Sequence, residues 1–531
     1  MTKAICRYLT VLLAAIIFAT ASLHAQYTEI YNFNYHSEGS NPMNPALMAQ
    51  GQDGNLYGTL QTTFPGNGSV FGWSVPTSTI VKIYGFSGPD GNTPQSGLTL
   101  GLDGSFYGTT VTGGLNGKGS VFKISSGGVF TQLYSFTDGT DSAYPWAPPV
   151  QGPDRSIYGV TYNGTNPGRA YKITSAGVFS VIATLPSKTQ APLIFGNDGN
   201  LYGTTQYGGT YNRGTVFKMT TKGALTIIHS FTAELPTGPV MQAADNKLYG
   251  TTPFGGTNGQ GIIYSMSLSG GSFTVLHNFL LSEASNSVSG LVQGSDKFLY
   301  GVAQAGGGAG LGSLFKVNTA GTVFSVLYSF QTAVGDTPMS TPVLHTNGII
   351  YGTTNHGGPT NVGYGTLYSY NAALKPFASL VIVWSGKVGT GVGIIGQGFT
   401  TATGVKFGTV PATYKVLSDN YIIAAPAAGA TTGPVTVLEP SGNLVTPQTF
   451  KVIPTITSFS PSAGPIGSSV VITGMSLSQA SAVTIGGVKA TFTVNSDTSV
   501  SAVVPTGAVT GKIKITTKGG STASATNFTV Q

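Results

Sequence analysis

Short runs of β-branched and aromatic residues alternate along this chain with Gly, Asp and Asn, a pattern of strands joined by tight turns and not of helices. One phrase returns at intervals of about 50 residues, the spacing of a repeat architecture. Its copies are Leu56-Tyr57-Gly58-Thr59, Phe106-Tyr107-Gly108-Thr109, Ile157-Tyr158-Gly159, Leu201-Tyr202-Gly203-Thr204, Leu248-Tyr249-Gly250-Thr251, Leu299-Tyr300-Gly301 and Ile350-Tyr351-Gly352-Thr353. Each continues into a Gly-rich loop, often with a pair such as Gly208-Gly209. An apolar run like Val121-Phe122-Lys123-Ile124 follows, then a Gly turn, then a run like Leu133-Tyr134-Ser135-Phe136. Four strands per unit at this period predict one propeller blade per copy.

The chain ends favour a closed ring over an open solenoid. Ile30-Tyr31-Asn32-Phe33 is an extra copy of the Tyr-Ser-Phe strand, whereas the last unit stops at Thr366-Leu367-Tyr368-Ser369 without one. The first strand is therefore expected to complete the last blade, which removes the bare sheet edges of an open array. Asp53, Asp103, Asp154, Asp198, Asp245, Asp296 and Asn347 each stand four residues before a repeat tyrosine. They read as hairpin-turn residues, since Asp-Gly supplies the positive φ such turns need, and the tyrosines read as core between blades.

Beyond residue 374 the pattern changes. A shift of 78 positions superposes Gly396 on Gly474, Phe399 on Leu477, Phe407 on Ile485, Asp419 on Asp497 and Phe450 on Phe528. Alternation such as Val470-Val471-Ile472-Thr473-Gly474 predicts two small antiparallel sandwiches. The expected fold is all-β: a seven-bladed β-propeller over 26–374, then immunoglobulin-like sandwiches over 375–452 and 453–531. Lys3 and Arg7, the apolar run Leu9–Thr20 and Leu23-His24-Ala25 before Gln26 read as a signal peptide over 1–25. The protein is accordingly expected to be secreted or at the cell surface, with no membrane span in the mature chain.

Composition narrows the picture. Only 8% of the 531 residues are charged and 77 are Gly, which excludes a charged coiled coil. The sole cysteine, Cys6, lies in the leader, so no disulfide or thiol chemistry is expected of the mature chain. The net charge of +7 is uneven: residues 375–531 hold nine lysines and three acids, Asp419, Glu439 and Asp497. Lysines scattered through strand-like segments of an exported chain do not suggest a nucleic-acid partner.

Candidate chemistry follows from strand parity, which puts the Gly-Gly loops and the Phe-to-Pro loops on one face. Glu38, Asp90, Asp138, Asp141, Glu234, Glu283 and Asp336 all lie in the loops after the Tyr-Ser-Phe strand, beside Tyr144, Trp146, Lys118, Arg169, Lys188 and Arg213. These acids and the two aromatics are the candidate binding residues, for a glycan or an extracellular protein, unless the acids serve only solubility. A hydrolase or lyase would need two of the acids about 5–9.5 Å apart. No catalytic residue, metal or cofactor is assigned. There is no Gly-x-Ser-x-Gly or His-Glu-x-x-His, and Asp138-Gly139-Thr140-Asp141 lacks the ligand alternation of a calcium loop.

Ile456-Thr457-Ser458-Phe459-Ser460-Pro461-Ser462-Ala463-Gly464-Pro465, followed by Val471-Ile472-Thr473-Gly474, resembles the opening of an IPT/TIG domain. The module before it is a divergent copy. The 28–370 units resemble the Gloeo/Verruco tandem repeat, with Asp-Gly-x-Leu-Tyr-Gly-Thr-Thr, Gly-Gly, Gly-Thr-Val-Phe-Lys and the Tyr-Ser-Phe-like strand nearly complete over 198–231. The kelch Trp is missing. These resemblances imply an exported protein of no known activity whose sandwich modules act as spacers or interaction modules. The expectation is a binding or scaffold protein; the alternatives are a carbohydrate-active hydrolase or lyase and a structural envelope component.

Overall fold

The computed structural model describes residues 26–42, 48–64, 66–162, 167–358 and 363–531, so the expected signal peptide lies outside the described residues. The chain divides into two compact units, one running to Lys375 and the other from Pro376 to Gln531, with Gln52–Gly54 grouped in the second.

The first unit is a seven-bladed β-propeller of four-stranded antiparallel sheets. In the first blade the strands run from innermost to outermost as Ala49–Gln50, Leu56–Leu60, Ser69–Ser74 and Thr79–Gly85. The seventh blade consists of Val343–Leu344, Ile350–Thr354, Thr366–Tyr370 and, as its outermost strand, Tyr27–Asn32. Tyr27 pairs with Tyr370 and Asn32 with Thr366, so the first strand closes the ring as the sequence predicts. The inner rim closes as well. The Gln50 amide donates to Thr346 Oγ1 at 2.7 Å and its carbonyl accepts the Thr346 N–H at 3.0 Å. The same device joins neighbouring blades elsewhere: Leu102, Asn197 and Ala244 donate their N–H groups to Gln151, Gln242 and Gln293.

Side chains from adjacent blades make the core. Tyr57 packs 4.3 Å from Phe106 of the next blade, and both join a cluster with Val70, Leu98 and Phe122. Burial of one such ring contributes about 1.5–3 kcal/mol. The glycine after each repeat tyrosine makes room for an aromatic ring on the neighbouring strand. A Cβ at Gly203 would lie 2.6 Å from the Phe217 ring and one at Gly58 2.7 Å from Phe71.

The second unit holds two β-sandwiches of identical strand order. One packs Ser379–Leu380, Val392–Ile395, Tyr421–Ala425 and Thr413–Ser418 against a five-stranded sheet. The other packs Thr455–Ser460, Ser469–Met475, Ser499–Val503 and Phe492–Ser496 against its counterpart. The aligned residues have the same fate: Phe399, Phe407 and Phe450 fill one core, and Leu477, Ile485 and Phe528 the other. Asp419 and Asp497 also coincide. Each accepts a hydroxyl, from Thr400 at 2.6 Å and Ser478 at 2.8 Å, and ties its loop to the sheet. Gly391–Gly396, which matches a dinucleotide fingerprint in letters, contains the strand Val392–Ile395 and no helix.

Candidate functional site

The acid that precedes six of the seven repeat tyrosines does more than turn the chain. Asp198 Oδ1 accepts the Asn200 N–H at 3.1 Å, which fixes the turn, while Oδ2 accepts the Tyr202 hydroxyl at 2.9 Å and pairs with Lys218 at 2.8 Å. Burial alone would raise its pKa; Lys218, Asn200 and Tyr202 overcome that and hold it at about 2. Asp103 with Tyr107 and Lys123, and Asp154 with Tyr158 and Lys172, repeat the arrangement. Sequence reading captured the turn and missed the hydroxyl and the lysine.

The loop acids are likewise engaged within the chain. Asp141 is buried; its Oδ2 accepts the Tyr134 hydroxyl at 2.9 Å and the Thr137 N–H at 2.8 Å, and its Oδ1 accepts Thr137 Oγ1 at 2.6 Å and the Gly139 N–H at 3.1 Å. Burial disfavours its charge, yet these donors hold its pKa below the ordinary carboxylate value. Asp90 receives Tyr84 and the Ser87 N–H. Buried Glu38 receives the Asn34 N–H at 2.6 Å and Ser37. Glu283 lies 3.0 Å from His277 Nε2, and Glu234 caps the N–H groups of Thr232 and Ala233. Asp336 is buried, accepts Thr337 Oγ1 at 2.8 Å and stands 4.0 Å from His356 Nδ1. Asp138 is exposed and ion-paired with Lys118 at 2.8 Å. In five blades, then, the acid pins the loop that leaves the outermost strand, in several cases to that strand's own Tyr or His. Each of those rings, Tyr84, Tyr134 and His277, also stacks on an aromatic of the next blade, at 4.5, 3.7 and 3.8 Å from Phe130, Phe179 and Phe324.

What the long-loop face presents is aromatic. Trp146 lies 5.5 Å from Tyr162, and the Lys188 ammonium sits over both Tyr162 at 4.9 Å and Tyr207 at 5.2 Å. Tyr144 stands beside this row with Lys118 at 5.7 Å from its ring. These side chains come from loops of the second, third and fourth blades, and all of them are partly exposed. Lys188 forms no ion pair with a carboxylate among the described residues. A second aromatic group gathers Tyr35, His36, Phe64 and Tyr364, with Phe64 62% exposed. Sequence reading named Tyr144, Trp146 and Lys188. It missed Tyr162 and Tyr207, which follow a repeat tyrosine by four or five residues and so emerge just past the end of its strand.

An open cleft of about 510 Å³ lies on the outer side of the second and third blades, lined by Tyr134, Thr137, Thr140, Asp141, Phe179, Arg169, Ser180, Val181 and Thr184. Arg169 stands where five of the six equivalent strands begin with a hydroxyl residue, Ser69, Ser120, Thr215, Ser313 or Thr366, and the sixth with Ile262, and its guanidinium donates to Thr184. No group of His, Asp and Glu suited to a metal ion occurs among the described residues. No helix among them is long and apolar enough to cross a membrane.

Residues 14–192 and 188–416 match the model of the Gloeobacter/Verrucomicrobia repeat, and 454–530 match that of the IPT/TIG domain. No curated protein matches the chain. Among solved structures, it is similar to an oligogalacturonate lyase from Vibrio parahaemolyticus at 13% identity, covering 65% of this chain and 93% of that one, with a TM-score of 0.45. TolB from Acinetobacter baumannii is 15% identical over 43% of this chain and 52% of that one, with a TM-score of 0.32. The surface glycan-binding protein PbSGBP-B from Prevotella bryantii is 16% identical over 29% and 41%, with a TM-score of 0.23.

Proposed function

This chain belongs to the Gloeobacter/Verrucomicrobia repeat family and ends in an IPT/TIG domain, and from that premise we propose that it is an exported, non-catalytic binding protein. Its propeller takes up a glycan on the long-loop face, and the sandwich modules space or attach it. The observation that carries this reading is the row Trp146, Tyr162, Lys188 and Tyr207. Aromatic faces stack on the apolar faces of sugar rings, and a lysine without a carboxylate partner donates to hydroxyls. The loop acids support it from the other side. A general acid needs a raised pKa, whereas Asp141 is held low by four hydrogen bonds.

The test is an array of neutral and acidic oligosaccharides probed with the mature protein and with Tyr162→Ala/Tyr207→Ala. Binding by the parent that falls at least about tenfold in the double variant, or about 1.4 kcal/mol, at unchanged melting supports the reading. Absence of any glycan binding, or binding untouched by the double change, overturns it. Glycan cleavage by the parent that disappears in a folded Asp141→Asn variant would instead establish the hydrolase or lyase alternative. Export is tested on the secreted protein, whose first residue is expected to be Gln26.

A further inference from the structure

The last sandwich module carries its cations on one face. Its five-stranded sheet has the order Ala463–Gly464, Gly520–Val530, Gly511–Thr517, Ala480–Ile485, Val488–Ala490. Along Gly511–Thr517, Ile513, Ile515 and Thr517 point into the core, while Lys512 and Lys514 point to solvent. Thr484 pairs with Lys514 on one side and with Lys489 on the other, so all three share the outer face. Lys518 lies in the turn that follows the same strand, and all four lysines are exposed. They are the only lysines or arginines from 453 to 531, and the one acid there, Asp497, belongs to the other sheet's turn, where Ser476, Ser478 and Gly429 donate to it.

The duplicated module shows that the fold does not require these charges. In the same register Lys406 pairs with Thr436 and Pro411, the counterparts of Lys514 and Lys489. Pro434 and Pro440 stand where Lys512 and Lys518 do under the 78-residue shift. The same sheet is thus built with Pro411, Pro434, Thr436 and Pro440 where the last module has Lys489, Lys512, Lys514 and Lys518.

We propose that this lysine face of the IPT/TIG module binds a carboxylate-bearing polysaccharide. The inference goes beyond the propeller reading and does not depend on the propeller's ligand. Outward positions on one strand are about 7 Å apart and strands two apart are about 10 Å apart, so Lys489, Lys512 and Lys514 stand as a spaced array on the sheet, suited to an extended chain of repeated charges, with the Lys512 ammonium resting on the Ala525 carbonyl. Thr484 lies between Lys514 and Lys489, and Thr516 and Ser521 flank them on the neighbouring pair, hydroxyls that match those of sugars. The face lacks the aromatics on which single-stranded nucleic acid stacks and the apolar wedge that an interfacial membrane segment inserts.

The probe is polygalacturonate, titrated against the mature protein at low and high salt. Binding should weaken at least about tenfold between about 50 and 500 mM salt, because exposed charges are screened within a few ångströms at the higher strength. Lys489→Gln/Lys512→Gln/Lys514→Gln should lose it by at least about tenfold at unchanged melting, and the corresponding triple Arg variant should retain it. Tyr162→Ala/Tyr207→Ala should leave it intact, which separates this face from the propeller site. No binding by the parent, binding that survives the triple Gln change, or equal binding to duplex DNA or phosphatidylglycerol vesicles would overturn the proposal.

Discussion

Tyr27 lies flat on Tyr328, ring centroids 3.7 Å apart and planes 3° apart. It thereby fills, against the sixth blade, the place that Phe130, Phe179, Phe273 and Phe324 fill against Tyr84, Tyr134, His229 and His277. The closing strand therefore carries the rim's aromatic step as well as backbone pairing, and the Tyr27 hydroxyl adds a bond to the Val334 carbonyl at 3.0 Å.

Tyr27→Ala is expected to cost about 1–3 kcal/mol, the burial of one ring plus its stacking. Deleting 26–33 should cost far more, since it strips Thr366–Tyr370 of its outer neighbour and bares that edge. Thermal unfolding of both variants checks this, and equal melting of the deletion and the parent would contradict ring closure.

Gly203→Ala should destabilise by about 1–3 kcal/mol through overpacking against Phe217. Gly271→Ala, which meets only Ser267 at 3.5 Å, should stay within about 0.5 kcal/mol. Urea unfolding midpoints distinguish the two.

Asp198 links stability to acid. Its folded pKa of about 2 lies below the ordinary 3.8, so its contribution is complete above the unfolded value and vanishes as pH falls through the folded one. Melting temperature should decline as pH drops from about 4 to about 2, and Asp198→Asn should flatten that decline.

Asp141→Asn and Trp146→Ala are expected to separate stability from recognition. The first removes a charged acceptor of four bonds and should cost about 1–3 kcal/mol. The second, at a partly exposed ring, should reduce glycan binding with little change in melting, read by parallel calorimetry and titration.

Strand order and closure were legible because they rest on local signals: the Tyr-Gly pair, the Asp before it, and the count of strand types at each end. The use of the loop acids was not. Tyr134 and Asp141 are close in sequence, yet whether the carboxylate faces outward or back to its own strand depends on the loop's path, including the positive φ of Asp138, Ser142 and Tyr144. The short interval between that ring and the following acid, six residues from Tyr84 and from His277 and seven from Tyr134, was the available signal. Lys188 over two tyrosines was beyond reach for a different reason, since it joins loops of successive blades whose spacing only the assembled ring sets.

Tyr27–Asn32 finds its partner only at Thr366–Tyr370, and this dictates an order of assembly. The strand made first must wait for the blade made last, while the first six blades, each continuous in sequence, fold through short hairpins. A polypeptide interrupted before residue 366 thus holds finished blades and an orphaned leading strand. Such a fragment lacks the partner that Thr366–Tyr370 supplies, and its leading strand becomes a loose edge open to pairing with other chains.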